Sequence, residues 1–161
     1  MKVKYLILGV IFCAAVSAQE TTIAEADVPK KVVQTRSKKS AVLKHKDTTW
    51  SKNAAGEYVA VRKIGGGEDM PPEQTITARF KEDGTWIETE IVIGPYSENV
   101  RKKLIPKNIY TACLKLVKKA GGEDLAGGVT ISDKPGNYSV EASCGEKRVT
   151  FDKKGKVIKE E

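Results

Sequence analysis

Apolar and polar residues alternate through much of the chain after its first fifty positions, and the alternation breaks at glycine turns. Ile76, Ala78 and Phe80 occupy every second position, as do Tyr138, Val140, Ala142 and Cys144, and then Val149 and Phe151. A period of two puts each set on one face of a β-sheet. Asp83-Gly84 and Lys154-Gly155 separate such runs, and a glycine-containing pair between alternating segments predicts a tight hairpin. A helical period governs 109–117, where Ile109, Ala112, Cys113, Leu116 and Val117 form one apolar stripe, stopped at Gly121 behind Lys118 and Lys119. A shorter helix is predicted after Val28-Pro29, because proline in the first turn lacks only an N–H that has no partner there anyway. Its stripe is Val28, Val32 and Thr35, and the stretch 40–49 fits a helix end, a loop or a strand.

The pattern occurs twice. Phe80-Lys81-Glu82-Asp83-Gly84-Thr85-Trp86-Ile87-Glu88 aligns with Phe151-Asp152-Lys153-Lys154-Gly155-Lys156-Val157-Ile158-Lys159, Gly56-Glu57-Tyr58 with Gly136-Asn137-Tyr138, and Val28-Pro29 with Ile105-Pro106. Self-similarity of this kind predicts repeated supersecondary units. The expected fold is α+β: two tandem helix-plus-antiparallel-hairpin units, 28–96 and 97–161, in one compact domain, with both helices on one face of the sheet and 19–27 as a flexible lead-in. Each unit reads as a helix followed by three strands.

Alternation then sorts the other face. Val59, Val61, Arg79, Trp86 and Glu88 are expected there together with Trp50, whereas the second half offers Thr130, Ser139, Ser143, Arg148 and Thr150. An apolar outer face in one half only is a candidate partner-binding surface, since exposed apolar patches mark contact sites and aromatic residues dominate their energetics. The alternative is a tryptophan lying across neighbouring strands, or covered by the loop Gly65-Gly66-Gly67-Glu68-Asp69.

The N-terminus changes the context of all this. Met1-Lys2-Val3-Lys4, an apolar run from Tyr5 to Val16, and Ser17-Ala18 have the form of a secretory signal peptide over 1–18. The run is about half the roughly 20 residues of a spanning helix, and the mature chain has no transmembrane segment of its own. Cys13 follows the bulky Phe12, which argues against lipidation. The full chain carries +7 at pH 7; losing Lys2 and Lys4 from its 28 basic residues, against 21 acidic ones, leaves +5. A basic exported chain is drawn to anionic surfaces by a long-range, salt-sensitive field. The basic tract from Lys30 to Lys46 is the obvious contributor. Export also argues against nucleic acid as a partner. Cys113 and Cys144 remain after cleavage, in a compartment that is usually oxidising. Both fall on core-facing positions, so they are either a disulfide or two buried thiols acting as small apolar residues.

With these residues in view, the chain resembles the PepSY-like family of small exported bacterial proteins, whose fold is compared to the beta-lactamase inhibitory protein. The resemblance rests on Val28-Pro29 before a basic helix, Trp50-Ser51-Lys52 leading to Gly56-Glu57-Tyr58, Phe80 to Glu90, Tyr138 to Cys144, and Arg148 to Glu161. It implies repeated helix-on-sheet units whose free sheet face meets a partner, and it implies no catalytic residues.

Chemistry read from the residues agrees. The one histidine, His45, lies between Lys44 and Lys46, where positive charge disfavours the protonation a general base must undergo. The Gly-Gly-Glu-Asp segments at 66–69 and 121–124 bring too few oxygens for calcium, and His45, Cys113 and Cys144 are too few for zinc. No nucleophile elbow, phosphate loop or Cys-x-x-Cys occurs. The expectation is a periplasmic or secreted binding module, inhibitory or accessory, with no catalytic residue, metal or cofactor, that contacts another envelope or secreted protein. The alternative is a surface-associated protein held to anionic envelope material by its basic first helix.

Overall fold

A computed structural model describes residues 21–67, 72–95, 97–125 and 127–161. The signal peptide expected over 1–18, Cys13 within it, and Glu68-Asp69 of the first glycine-rich loop lie outside the described residues. The fold is α+β and sheet-dominated: nine strands and three α-helices among the described residues.

The strands are β1 (Thr21–Ile23), β2 (Thr49–Lys52), β3 (Tyr58–Ile64), β4 (Gln74–Phe80), β5 (Trp86–Ile93), β6 (Val129–Lys134), β7 (Asn137–Cys144), β8 (Lys147–Asp152) and β9 (Val157–Glu160). Each pairs antiparallel with the next in sequence, so the sheet is a continuous meander in the order β1 to β9. Three helices interrupt it: α1 (Lys30–Lys39) between β1 and β2, then α2 (Glu98–Leu104) and α3 (Lys107–Lys119) between β5 and β6. Four strands follow each helical segment, one more than alternation predicts. The additional one in the first half, β2, has four residues with a single large apolar side chain, too few to establish a period.

Both helical segments lie on the same side of the sheet. Ile76, Ile91, Ile131, Val140 and Phe151 are consecutive partners across β4 to β8, so they form one row on one face. At one end of that row Val32 of α1 and Leu43 share a core with Ile76, Ala78 and Phe80. At the other, Ile109, Cys113 and Val117 of α3 share a core with Val140, Val149 and Phe151. The predicted stripe of α3 is thus the face it buries. Fully removing side chains of this size from water stabilises the fold by about 1.5–3 kcal/mol each before entropy is set against it.

Helix and sheet are locked together at two matching points. Pro29 and Pro106 precede the first residues of α1 and α3 with the same backbone geometry, φ −53° and ψ 134°. The hairpin turns following β4 and β8 reach under those first helical turns. Gly84 has φ 88°, and a Cβ there would come within 2.9 Å of the Lys31 Cβ and 3.1 Å of its carbonyl. Gly155 has φ 80° and sits against the Asn108 backbone in the same way, at 3.4 Å. Only glycine combines the left-handed conformation with so close an approach.

The lead-in expected to be flexible over 19–27 is, across its described part, built into the fold. Thr21, Thr22 and Ile23 pair with Lys52, Ser51 and Trp50, and Glu25–Asp27 form a 3-10 turn. The anchor is polar: Arg36 of α1, 5% exposed, donates to both carboxylate oxygens of Glu25 at 2.6 and 3.3 Å, and the Trp50 indole N–H donates to Glu25 Oε2 at 3.1 Å. Between β5 and α2, the buried Arg101 guanidinium donates to the carbonyls of Gly94 and Pro95, holding the turn that joins the two halves of the chain.

Candidate partner-binding face

The register gives the side of the sheet away from the helices. Ser51, Val59, Arg79 and Glu88 form one row across β2 to β5. Thr49, Val61, Thr77, Glu90, Ser132 and Ser139 form the next, and Lys63, Thr75, Val92, Thr130, Glu141 and Thr150 the one after. Hydroxyls, charges and three valines therefore make up this face. Val59 is buried between its neighbours, Val61 is half-buried, and Val92 is 41% exposed.

Four of the six residues expected on this face are on it: Val59, Val61, Arg79 and Glu88. The two tryptophans are on the other side. Trp50 pairs with Ala60, one step out of phase with Val59 and Val61, so it points into the helix-side core. There it is 2% exposed, its ring centroid 6.2 Å from that of Phe80, with the Arg36 guanidinium 5.5 Å over its face. Trp86 is turned by a β-bulge. Arg79 pairs with Glu88 but Phe80 pairs with Trp86, which leaves Ile87 as the extra residue and carries Trp86 to the side of Phe80. Its indole N–H donates to Thr89 Oγ1 at 3.0 Å, and the Lys39 ammonium of α1 stands 3.9 Å over its ring. Neither the glycine-rich loop nor a partner is needed to explain these aromatics: α1 covers them.

What the open face does carry is an ion-pair network. Arg79 is bonded to Glu88 and lies 3.7 Å from Glu57, while Lys134 of β6 reaches Glu88 Oε2 at 3.0 Å. Asn53 steadies Glu57 by donating to Oε2 at 2.8 Å. Further across, Arg148 pairs with Glu141 at 3.2 Å, beside a shallow hollow of about 210 Å³ among Val92, Thr130, Glu141 and Ser143. Sequence reasoning missed Glu57 and Lys134. Alternation from Thr130 and Ser132 would have placed Lys134 on this face; nothing local ties Glu57 to Arg79.

Burial pushes the Glu88 carboxyl up, but the hydrogen bonds and charges of Lys134 and Arg79 outweigh it and hold its pKa below the ordinary 4.5. Glu25 is held below the same value first by its hydrogen bond to Arg36, with Trp50 adding to it against the opposing effect of burial. Lowered folded-state values mean that the unfolded chain takes up protons first as pH falls. These contributions are therefore complete above pH 4.5 and disappear as pH drops through the folded values. Urea unfolding across the acid range should show a midpoint that declines below that point, with a shallower decline in Glu88→Gln. An identical slope in the variant would remove Glu88 from the account.

His45, between two lysines, has Nδ1 3.0 Å from Asp47 Oδ2, both side chains exposed. Among the described residues no group of three or more His, Cys, Asp or Glu side chains is placed to hold a metal ion, and no helix is long and apolar enough to cross a membrane. Cys113 and Cys144 are joined as a disulfide, with their Cα atoms 5.7 Å apart.

No protein-family profile matches the sequence, and no curated protein matches it. Among solved structures the chain is similar to a protein from Bacteroides eggerthii described as a candidate periplasmic protein, at 17% identity and a TM-score of 0.49, over 83% of this chain and 88% of that one. It is similar also to DUF2874 family proteins from Bacteroides ovatus (17% identity, TM-score 0.48, 83% and 86% covered) and Bacteroides uniformis (18%, 0.48, 83% and 88%).

Proposed function

We propose that this chain is an exported, non-catalytic binding module that meets another envelope or secreted protein with the open face of its sheet. The observation that carries the proposal is one-sided cover. Among the described residues α1 and α3 bury their apolar sides against one sheet face, while the other presents Val61, Val92 and threonines around the Arg79, Glu88 and Lys134 network. A rigid, pre-ordered ion-pair cluster beside apolar residues suits protein recognition, because its charges are already oriented before the partner arrives.

The reading includes two repeated units. Its support is the matched Pro29 and Pro106, the matched Gly84 and Gly155, and the same bulge at Phe80–Trp86 and Phe151–Val157. It also includes membership of the PepSY-like group, on the residue phrases given above, and export to the periplasm or exterior, on the form of residues 1–18.

The test replaces Val61 and Val92 with glutamate and captures partners from native envelope extract, identified by mass spectrometry. The expected result is loss of the partner that the wild-type chain retains, with an unchanged circular dichroism spectrum. Equal capture by the folded variant would exclude this face.

A further inference from the structure

The charge of this protein is divided between the two sides of its sheet. α1 and α3 contain no acidic residue, and α2 contains only Glu98, which is bonded to Lys102. Lys30, Lys31, Lys38 and Lys39 of α1 are exposed, as are Lys102 and Lys103 of α2. So are Lys107, Lys115, Lys118 and Lys119 of α3. On the open face, in contrast, basic and acidic groups alternate and pair: Arg79 and Lys134 with Glu88, Arg148 with Glu141. The surplus of positive charge thus stands on the helical layer, and over all three helices rather than the first alone.

We infer that the helical layer docks on an anionic lipid bilayer surface, reversibly and without insertion, leaving the open sheet face turned away from the lipid. Three features select a bilayer over an acidic protein. The arginines of these helices, which would supply rigid bidentate recognition of a carboxylate, are turned inward: Arg36 and Arg101 are 5% and 4% exposed and bound within the chain. Only lysines remain outside, and flexible, hydrated point charges fit a diffuse field better than a defined set of acceptors. The lysines are spread over a layer rather than gathered along a groove. Finally, Val42 is 41% exposed in the 3-10 turn Ala41–Lys44 that follows α1, close in sequence to Lys38, Lys39 and Lys44. An apolar side chain within a basic patch suits the boundary between headgroups and acyl chains. This inference does not depend on which partner the open face takes.

The experiment is co-sedimentation of the exported chain, recovered from the envelope of expressing cells, with vesicles of phosphatidylcholine with and without phosphatidylglycerol. Binding is expected only with phosphatidylglycerol, and should vanish near 1 M salt, where the Debye length is about 3 Å. Two folded variants remove equal charge from opposite sides. Lys30→Gln, Lys38→Gln, Lys115→Gln and Lys118→Gln together act on the helices; Lys63→Gln, Lys134→Gln, Arg148→Gln and Lys159→Gln act on the open face. Each lysine near the surface contributes roughly fivefold, so the helical set should weaken partitioning by at least about 25-fold if only two of the four reach the headgroups. The open-face set should leave it nearly unchanged. Equal loss in both sets would mean net charge alone and overturn the orientation. No binding at low salt, or tighter binding to soluble polyglutamate than to the vesicles, would overturn the bilayer as the partner.

Discussion

Replacing Trp50 with alanine is expected to lower stability by about 3–5 kcal/mol, the range for truncating a large buried aromatic. The side chain is 2% exposed, packs on Phe80, and carries the N–H that helps Arg36 hold Glu25. Its loss opens a cavity beside Phe80 and Ala60 and loosens the polar anchor by which Glu25 is held to α1. A domain of this size has about 5–15 kcal/mol in total, so the variant should sit close to unfolding at growth temperature. Trp50→Phe keeps most of the apolar volume and removes the donor, and should cost about 1 kcal/mol for the hydrogen bond plus a smaller packing loss. Trp86→Ala should cost less than Trp50→Ala, because that ring is half-buried under Lys39. Denaturant titration of the three variants ranks them; a loss under about 1 kcal/mol for Trp50→Ala would contradict its place in the core.

Removing the Cys113–Cys144 bridge should cost about 3–4 kcal/mol. The cysteines are 31 residues apart in sequence, and closing a loop of that length restricts the unfolded chain by this amount in the chain-entropy model. The bridge ties α3 to the end of β7 across the second half of the core. Cys113→Ala with Cys144→Ala should therefore melt about 10 °C or more below the wild type. Wild type unfolded and refolded under reductant should match it. The effect on the first half should be smaller, since Trp50, Phe80 and Val32 belong to a separate cluster of side chains. A double variant with an unchanged melting temperature would show that the oxidised form is not the stable one.

The elements most legible in the sequence were those whose signals lie within a few residues of one another. Ile109, Cys113 and Val117 repeat at helical spacing and are buried. Asp83-Gly84 and Lys154-Gly155 make their turns, and Ile76, Ala78 and Phe80 alternate into the core as read. The helix α2 leaves little periodic signal, because its seven residues carry only Val100 and Leu104 as an apolar side.

The candidate face shows where local reading ends. Val59, Val61, Arg79 and Glu88 are legible because β3, β4 and β5, of seven, seven and eight residues, are long enough to fix their own phase. Trp50 was not, since a strand of four residues says that Trp and Ser are on opposite sides without saying which side is the core; its pairing with Ala60 says so. For Trp86 a single extra residue, Ile87, reverses the phase at the very first position of β5. A period of two has no memory across a bulge, and one slipped residue exchanges the two faces.

By itself, then, the sequence determined the strand periods, the long helix over 107–119, the glycine turns and the basic tract from Lys30 to Lys46. Tertiary structure alone decided that Thr21–Ile23 joins the sheet with Glu25 tied to Arg36 behind it, that both tryptophans lie beneath α1, and that Glu57, Arg79, Glu88 and Lys134 converge from four segments. The reason is range. Periodicity and turn chemistry are properties of neighbouring residues, whereas the side of a short strand and the partners of a charge are set by pairing with other segments, from Ala60 beside Trp50 to Lys134 beside Glu88, which form only once the loops between them have closed.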